Sequence, residues 1–226
     1  MRQLARLIGH PYSLAYALHH TGWLYQLCRL GAEVRAAAEE EIALATEQGF
    51  ALWHATGTLF LGGGTLLEGR PEEGLLLLRK GLDALRATGA ELTLPFQFSA
   101  LSDAYTQAGR FEDARQALNE GLAIVEKNDE RCHEAELHRL KGELLLAESR
   151  DQPAAEECFR QAIETARRQQ SRGWELRATM SLARLRQRQG RRDEARSALA
   201  AVYRTYTEGF TTPDLVDAAM LVESLA

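Results

Sequence analysis

The sequence contains few β-branched residues. Valine and isoleucine together number 9, against 36 leucines and 35 alanines. Leucine and alanine are strong helix formers, whereas strands draw on β-branched side chains. This scarcity argues against a sheet-based fold and favours an all-α protein.

Cysteines and long apolar runs are also scarce. The three cysteines lie far apart and form no CxxC pair, as expected for reduced thiols. The longest uncharged apolar run, residues 51–67, is broken by His54 and four glycines, so it does not predict a membrane-spanning helix. The N-terminal segment lacks the unbroken apolar stretch of a signal peptide. We therefore expect a cytoplasmic protein with no membrane anchor.

The apolar pattern repeats at a period of about forty residues. Leu78 aligns with Leu118 after 40 residues, with Phe159 after a further 41 and with Leu199 after another 40. Within each unit, apolar residues recur at three and four positions, with a break near the middle, which is typical of two helices. The sequence thus predicts five helix hairpins.

All five prolines lie where this pattern starts a helix, the one part of a helix that tolerates proline. The predicted helices are 11–29, 33–48, 50–68, 71–88, 95–109, 111–127, 131–149, 153–170, 173–189, 191–207 and 213–225.

Stacked hairpins of this kind bury a continuous core and build a superhelix with an inner and an outer surface. We predict an all-α, right-handed α–α superhelix in which residues 11–208 hold the five hairpins. Residues 209–226 are predicted to form a C-terminal capping helix. Residues 1–10 align with the tail of a preceding repeat helix, so we expect the chain to be the C-terminal piece of a longer protein.

Several short motifs resemble the tetratricopeptide repeat (TPR). They are Leu61-Gly62, Leu101-Ser102 and Leu182-Ala183 in first helices, Ala155, Phe159 and Ala162 in a second helix, and the segments 109–114 and 190–195. The sequence departs from that family in its period of about 40 rather than 34 and in lacking the helix-ending proline. The resemblance implies a TPR-like solenoid.

Three longer segments resemble the C-terminal repeat region of large bacterial signalling proteins. They are residues 135–146, 154–169 and 206–215. In those proteins such repeats follow an ATPase module of the signal-transduction type, often with a class III nucleotide-cyclase domain or a DNA-binding domain. The resemblance implies a non-catalytic regulatory module that binds a protein or peptide segment, or an attached ATPase or cyclase domain.

In TPR-like arrays the first helix of each pair lines the inner groove. By this resemblance the candidate partner-binding residues are Tyr16, His19, Trp23, Gln26, Asp103, Gln107, His138, Lys141, Arg177, Arg184 and Arg188. A solenoid that senses a small ligand is the alternative, and it would need a deep pocket near Trp23, the glycine run 62–64 and Trp53.

The sequence offers little for catalysis or for metal binding. His133 and His138 are five residues apart, which rotates them by about 140° on an α-helix, whereas a zinc helix needs a spacing of four. We therefore expect a surface histidine pair. Cys132 and His133 would point about 100° apart on a helix, and no nucleophile motif is present. We predict no enzyme activity, cofactor or metal.

The glycines 62–64 are followed by a threonine, but the lysine and the preceding strand of a phosphate loop are missing. Three glycines inside a helix cost roughly 1 kcal/mol each relative to alanine. Close contact with a neighbouring helix is the explanation we favour over an approaching ligand.

Arginine is concentrated towards the end of the chain. Residues 160–204 contain 12 arginines and only 4 acidic residues. Arg177, Arg184 and Arg188 fall on one predicted helix and could face a partner as a stripe. A solvated face is the interpretation we favour, followed by an acidic protein surface. Nucleic acid is the weakest alternative.

Overall fold

The computed structural model describes residues 2–91 and 93–226, so Met1 of the predicted 1–10 segment lies outside the described residues. The described residues form α-helices joined by short turns, and they contain no strand. The chain divides into two compact units, unit 1 up to Gly109 and unit 2 from Arg110. The boundary coincides with the turn of the third predicted hairpin.

The helices of unit 1 follow one another with two to six residues between them. They are α1 (Arg2–Ile8), α2 (Pro11–Leu27), α3 (Gly31–Gln48), α4 (Ala51–Leu67), α5 (Pro71–Ala87) and α6 (Leu94–Gln107).

Unit 2 has the same organisation, with one 3₁₀ turn (Arg131–His133) before its second helix. Its helices are α7 (Phe111–Asn128), α8 (Glu134–Glu148), α9 (Gln152–Arg168), α10 (Arg172–Arg188), α11 (Arg192–Tyr203) and α12 (Pro213–Ser224).

The eleven predicted helices are confirmed, with most bounds within two residues. The largest difference is at α11, which ends at Tyr203 rather than at residue 207, and α8 begins three residues late because the 3₁₀ turn precedes it. Each proline occupies the first or second position of its helix, where no hydrogen bond is lost. Gly49 and Gly109 adopt φ of +70° and +71° just after α3 and α6, the left-handed conformation that ends a helix.

Each unit has two layers of helices. Consecutive helices pack in antiparallel fashion, and the even-numbered helices also contact one another, α2 with α4 and α4 with α6 in unit 1, α8 with α10 and α10 with α12 in unit 2. In such a stack, the layer whose helices lie closer to one another is on the concave side. The even-numbered helices therefore form the inner layer of each unit.

Helix α4 is held between α3 and α5 by glycines. A Cβ on Gly62 would lie 2.8 Å from the backbone nitrogen of Leu78, and one on Gly74 would lie 2.9 Å from the carbonyl oxygen of Gly62. On the α3 side, a Cβ on Gly64 would lie 3.1 Å from the carbonyl oxygen of Gly31. The close helix contact expected for the glycine run is thus present. It explains why glycines are kept in this helix despite their cost in helix propensity.

The core of unit 2 is aliphatic at its end and is built around Phe159 in its middle. Leu176, Leu199 and Leu215 pack together where α10, α11 and α12 meet. The ring of Phe159 on α9 lies directly over Gly142 of α8, and a Cβ there would fall within 2.8 Å of the ring. Alternating large and small residues therefore interlock the helices, as the repeat pattern predicts.

Among the described residues, no helix combines the length and the apolar character that crossing a lipid bilayer requires.

Candidate functional site

The inner helices of unit 1 are almost free of charge. Helices α2 and α4 contain no aspartate, glutamate, lysine or arginine, and α6 contains only Asp103. The acidic and basic residues of this unit lie on its other helices and turns. The inner layer of unit 1 is therefore a surface of apolar, aromatic, histidine and amide side chains.

A row of rings runs along α2. Tyr12 and Tyr16 are exposed, with 49% and 48% of their surface accessible to solvent. The Tyr16 ring lies 4.1 Å from that of His20, and His20 lies 6.0 Å from Trp23. A spacing of three or four residues places them on one face of the helix. We call Tyr12, Tyr16, His20 and Trp23 the aromatic row.

A second set of rings supports the aromatic row from below. Trp53 of α4 is buried, and its ring is 5.4 Å from Tyr12 and 6.2 Å from Tyr16 in edge-on contact. Trp23 contacts Phe96 of α6 at 6.1 Å. Edge-to-face ring pairs of this kind are favourable beyond the area they bury, so the row is held on a rigid base.

The predicted residue His19 lies beneath this surface rather than on it. It is buried, and its Nδ1 is 3.6 Å from Oε1 of Glu41, which is fully buried on α3. Burial raises the pKa of Glu41, although the nearby imidazole of His19 and a hydrogen bond from Thr56, whose Oγ1 is 2.8 Å from Oε1, partly oppose the rise. The buried cluster of His19, Glu41 and Thr56 thus links α2, α3 and α4.

Gln26 occupies the space above the glycine run. A Cβ on Gly63 would lie 2.6 Å from Oε1 of Gln26 and 2.7 Å from its Cδ. Glycine at this position thus lets the carboxamide rest on the backbone of α4, close to where a small ligand was predicted. The small-ligand alternative itself stays a prediction.

Asp103 and Gln107 lie together at the end of α6. The side-chain nitrogen of Gln107 donates to Oδ2 of Asp103 at 3.1 Å, one helical turn away, and Gln107 is exposed. The pair adds the one acidic group of the inner layer of unit 1.

The inner helices of unit 2 carry charges that pair with each other. Arg139 donates to Glu136 at 2.7 and 2.8 Å, and Ser181 of α10 donates to Glu143 at 2.6 Å. Nε of Arg177 donates to Oδ2 of Asp214 at 2.7 Å, which links α10 to α12.

The pKa of Glu136 reports the strength of this pairing. Burial would raise it, but the charges of Arg139 and Arg177 and the hydrogen bonds from Arg139 outweigh burial and lower it. These ions bind one another across α8, α10 and α12, and so they hold the unit together rather than face a partner.

The expectation that His133 and His138 form a surface pair is wrong. His133 and His138 are both buried, not a surface pair, and His133 packs edge-on against Trp174. Burial lowers the pKa of His133 to about 4 and also lowers that of His138. Lys141, one turn further along α8, is exposed.

Cys132 and His133 also meet, contrary to the expected divergence. Sγ of Cys132 is 3.0 Å from Nδ1 of His133, because both belong to a 3₁₀ turn rather than to an α-helix. Burial raises the pKa of the Cys132 thiol, the opposite of what an activated nucleophile needs. In the described chain, no three side chains are grouped so that they could hold a metal ion.

The arginine stripe is shorter than expected. Arg184 and Arg188 are exposed and have no ion-pair partner within the described parts of the chain, but Arg177 is largely buried against Asp214 and over the Trp174 ring at 4.9 Å. Much of the basic character nearby is also neutralised.

Glu156 on α9 is the centre of that neutralisation. It accepts hydrogen bonds from Arg160 at 2.7 Å and from Arg191 at 3.1 Å, and Arg186 lies 3.6 Å away. Three of the 12 arginines in this region therefore share one carboxylate.

The structure groups the predicted site residues of α2 against α4, with Tyr16 and Trp23 at the surface and His19 and Gln26 below them, whereas Asp103 and Gln107 form a separate pair at the end of α6. It does not gather those of unit 2 into one site, since His138 is buried in α8 whereas Arg177 pairs with Asp214 of α12. Which of these residues bind a partner stays a prediction. Tyr12 and His20 were not predicted from the sequence, although the four-residue spacing of Tyr12, Tyr16 and His20 was a usable signal, and Trp53 was named only for the small-ligand alternative.

Comparisons with known proteins identify the fold. The sequence matches no protein-family model and no curated protein sequence. A Podosopora anserina protein described as a putative kinesin light chain with nearly identical TPR-like repeats has a similar structure, with a TM-score of 0.56. A single-residue variant of the same protein gives 0.57, and in each case 21% of residues are identical over 85% of this chain and 94% of the other.

A Rap protein in complex with Competence and Sporulation Factor is similar over 93% of this chain. The TM-score is 0.63, the identity is 13%, and the match spans 62% of the Rap protein. These likenesses show that the chain has a TPR-like, all-α superhelical repeat fold, which confirms the predicted fold class.

Proposed function

We propose that this chain is a non-catalytic module that binds a protein or peptide segment on the inner layer of unit 1. The observation that carries the proposal is the aromatic row, in which large rings are exposed on helices without charge. Exposed tyrosines on a rigid base resemble the residues that dominate binding energy at protein interfaces. The Rap protein, which shares the fold, was solved with a bound factor, and this also supports a binding role.

The wider context is part of the same proposal. The motifs that resemble bacterial signalling proteins support a regulatory module of a larger ATPase or cyclase in the cytoplasm, with residues 11–208 as its solenoid and residues 209–226 as its cap. The partner is then either a separate protein segment or the attached catalytic domain. The full reading frame tests this part, and a frame that encodes no such domain would contradict it.

The pairing of charges in unit 2 disfavours the nucleic-acid alternative. A phosphate backbone needs a free cationic surface, but Arg177 is engaged by Asp214 and three further arginines by Glu156. Arg184 and Arg188 remain as an auxiliary contact for an acidic group of a protein partner.

Selection from a random peptide library on the immobilised chain tests the proposed function. We expect enriched peptides whose binding is lost in Tyr16→Ala, because truncation of a central interface ring typically weakens binding at least about tenfold. Phe210→Ala is the matched control, since Phe210 is an equally exposed ring in unit 2. Failure to enrich any peptide, or enriched peptides that bind both variants equally, would contradict the proposal.

A further inference from the structure

We propose that the segment recognised by the aromatic row is proline-rich and binds in the polyproline II conformation. This inference rests on the proposed function and specifies the chemistry of its partner. Three properties of the row support it, namely the absence of charge around it, its polar atoms and its length.

The absence of charge around the row restricts the partner first. A charged peptide side chain placed against α2 or α4 would lose its hydration and meet no opposite charge, because neither helix carries an ionic residue. Glu41, a carboxyl group under the row, is fully buried and engaged by Thr56, so it does not offer a surface anchor for a cation. Complementarity therefore selects an uncharged segment.

Polar atoms are interspersed among the rings. The hydroxyls of Tyr12 and Tyr16 have no hydrogen-bond partner in the described residues, and both side chains are about half exposed. Nδ1 of His20 donates to the carbonyl oxygen of Tyr16 at 2.9 Å, which leaves Nε2 as the ring nitrogen open to a partner. The row thus alternates apolar ring faces with hydrogen-bonding tips.

Such a surface distinguishes between two uncharged partners. The backbone of an amphipathic helix is satisfied internally and would leave the tyrosine hydroxyls unused. A polyproline II segment has no internal hydrogen bonds, so its carbonyl oxygens are available to hydroxyl donors. Its flat pyrrolidine rings also pack on aromatic faces, and its pre-set conformation lowers the entropy lost on binding. The row fits the second partner better.

The length of the row sets the size of the segment. Tyr12 and Trp23 are eleven residues apart on α2, which is about 16 Å at roughly 1.5 Å per residue. A polyproline II helix rises about 3.1 Å per residue, so the row spans roughly five residues of such a segment. A peptide of eight residues would therefore cover the row with one or two residues to spare at each end.

Calorimetric titration of the whole chain with capped eight-residue peptides tests this inference. The probes are a peptide with proline at five positions and alanine elsewhere, a Gly–Ser peptide, a helix-forming Ala–Leu peptide, and peptides rich in arginine or glutamate. We expect the proline-rich peptide to bind at least about tenfold more tightly than each of the others.

Variants of the aromatic row then test whether the proline-rich peptide binds there. Tyr12→Ala and Tyr16→Ala should each weaken it about tenfold, Tyr16→Phe only a few-fold because the ring remains, and Phe210→Ala not at all. Circular dichroism verifies that each variant keeps its helices. Proline-peptide binding that none of the tyrosine variants changes would overturn the inference.

The other outcomes separate this inference from the proposed function. Tighter binding of the helical or the arginine-rich peptide, lost in Tyr16→Ala, would overturn the proline-rich partner but leave a peptide-binding module on the same face. Library peptides that depend on Tyr16 and lack proline would have the same meaning. If neither the library nor any probe binds, both the inference and the proposed function fail.

Discussion

Gly62 and Gly63 are adjacent in α4, yet the structure predicts opposite effects for their replacement by alanine. A Cβ on Gly62 would lie 2.8 Å from the backbone nitrogen of Leu78 and 3.0 Å from the carbonyl oxygen of Gly74. Both are backbone atoms of α5, which can move only if the two helices separate. A Cβ on Gly63 would instead meet the carboxamide of Gln26, the end of a flexible side chain.

The magnitudes follow from two opposing contributions. Alanine in place of glycine gains about 1 kcal/mol of helix propensity at either position. Overpacking against backbone costs about 1–3 kcal/mol, so Gly62→Ala should lose up to about 2 kcal/mol of unfolding free energy in total. Rotation of Gln26 costs little, so Gly63→Ala should be neutral or more stable by up to about 1 kcal/mol.

Urea unfolding followed by far-UV circular dichroism measures both values, and thermal unfolding should show shifts of about 2–4 °C per kcal/mol for a chain of this size. Gly173→Ala is the control for propensity alone, because a Cβ there meets nothing within 4 Å. Equal effects at Gly62 and Gly63, after correction by this control, would refute the close packing of α4 on α5.

Three further predictions concern buried ionisable groups. The pKa of His133 falls from 6.5 to about 4 on folding, so the protein should lose roughly 3 kcal/mol of unfolding free energy as the pH falls between these values. His133→Gln should flatten that part of a stability-against-pH profile. The pKa of Glu41 is raised on folding, so its contribution is present below 4.5 and is lost as pH rises; Glu41→Gln should gain more stability over the parent at pH 8 than at pH 5, and an equal gain at both would contradict this. Glu156→Gln should cost about 1–3 kcal/mol in urea unfolding because three arginines lose their shared carboxylate, whereas Glu157→Gln, which alters an exposed neighbour, should cost almost nothing.

Much of the fold follows from the sequence because it depends on local patterns. The period of about forty residues and the prolines located the helices, since helix starts and apolar spacing are encoded within a few residues of each other. The predicted helix bounds were wrong where a short-range rule did not apply, as at the 3₁₀ turn before α8. The turn also explains why Cys132 and His133 meet.

The site was less predictable because it depends on contacts between distant residues. Tyr16 and His19 are three positions apart on α2, but one is exposed and the other is buried against Glu41 of the next helix. Periodicity alone does not distinguish them, because both lie on the side of α2 that turns towards α4. In the same way, the engagement of Arg177 depends on Asp214, 37 residues later.

The glycines that let α4 fit between α3 and α5 also determine when this helix can form. With four glycines and no charged residue, α4 has little tendency to be helical in water, and most of its surface is apolar. During synthesis α4 leaves the ribosome before α5, so one of its two supporting helices does not yet exist. We expect the first half of the nascent chain to remain incompletely folded, and open to binding by chaperones, until α5 has emerged.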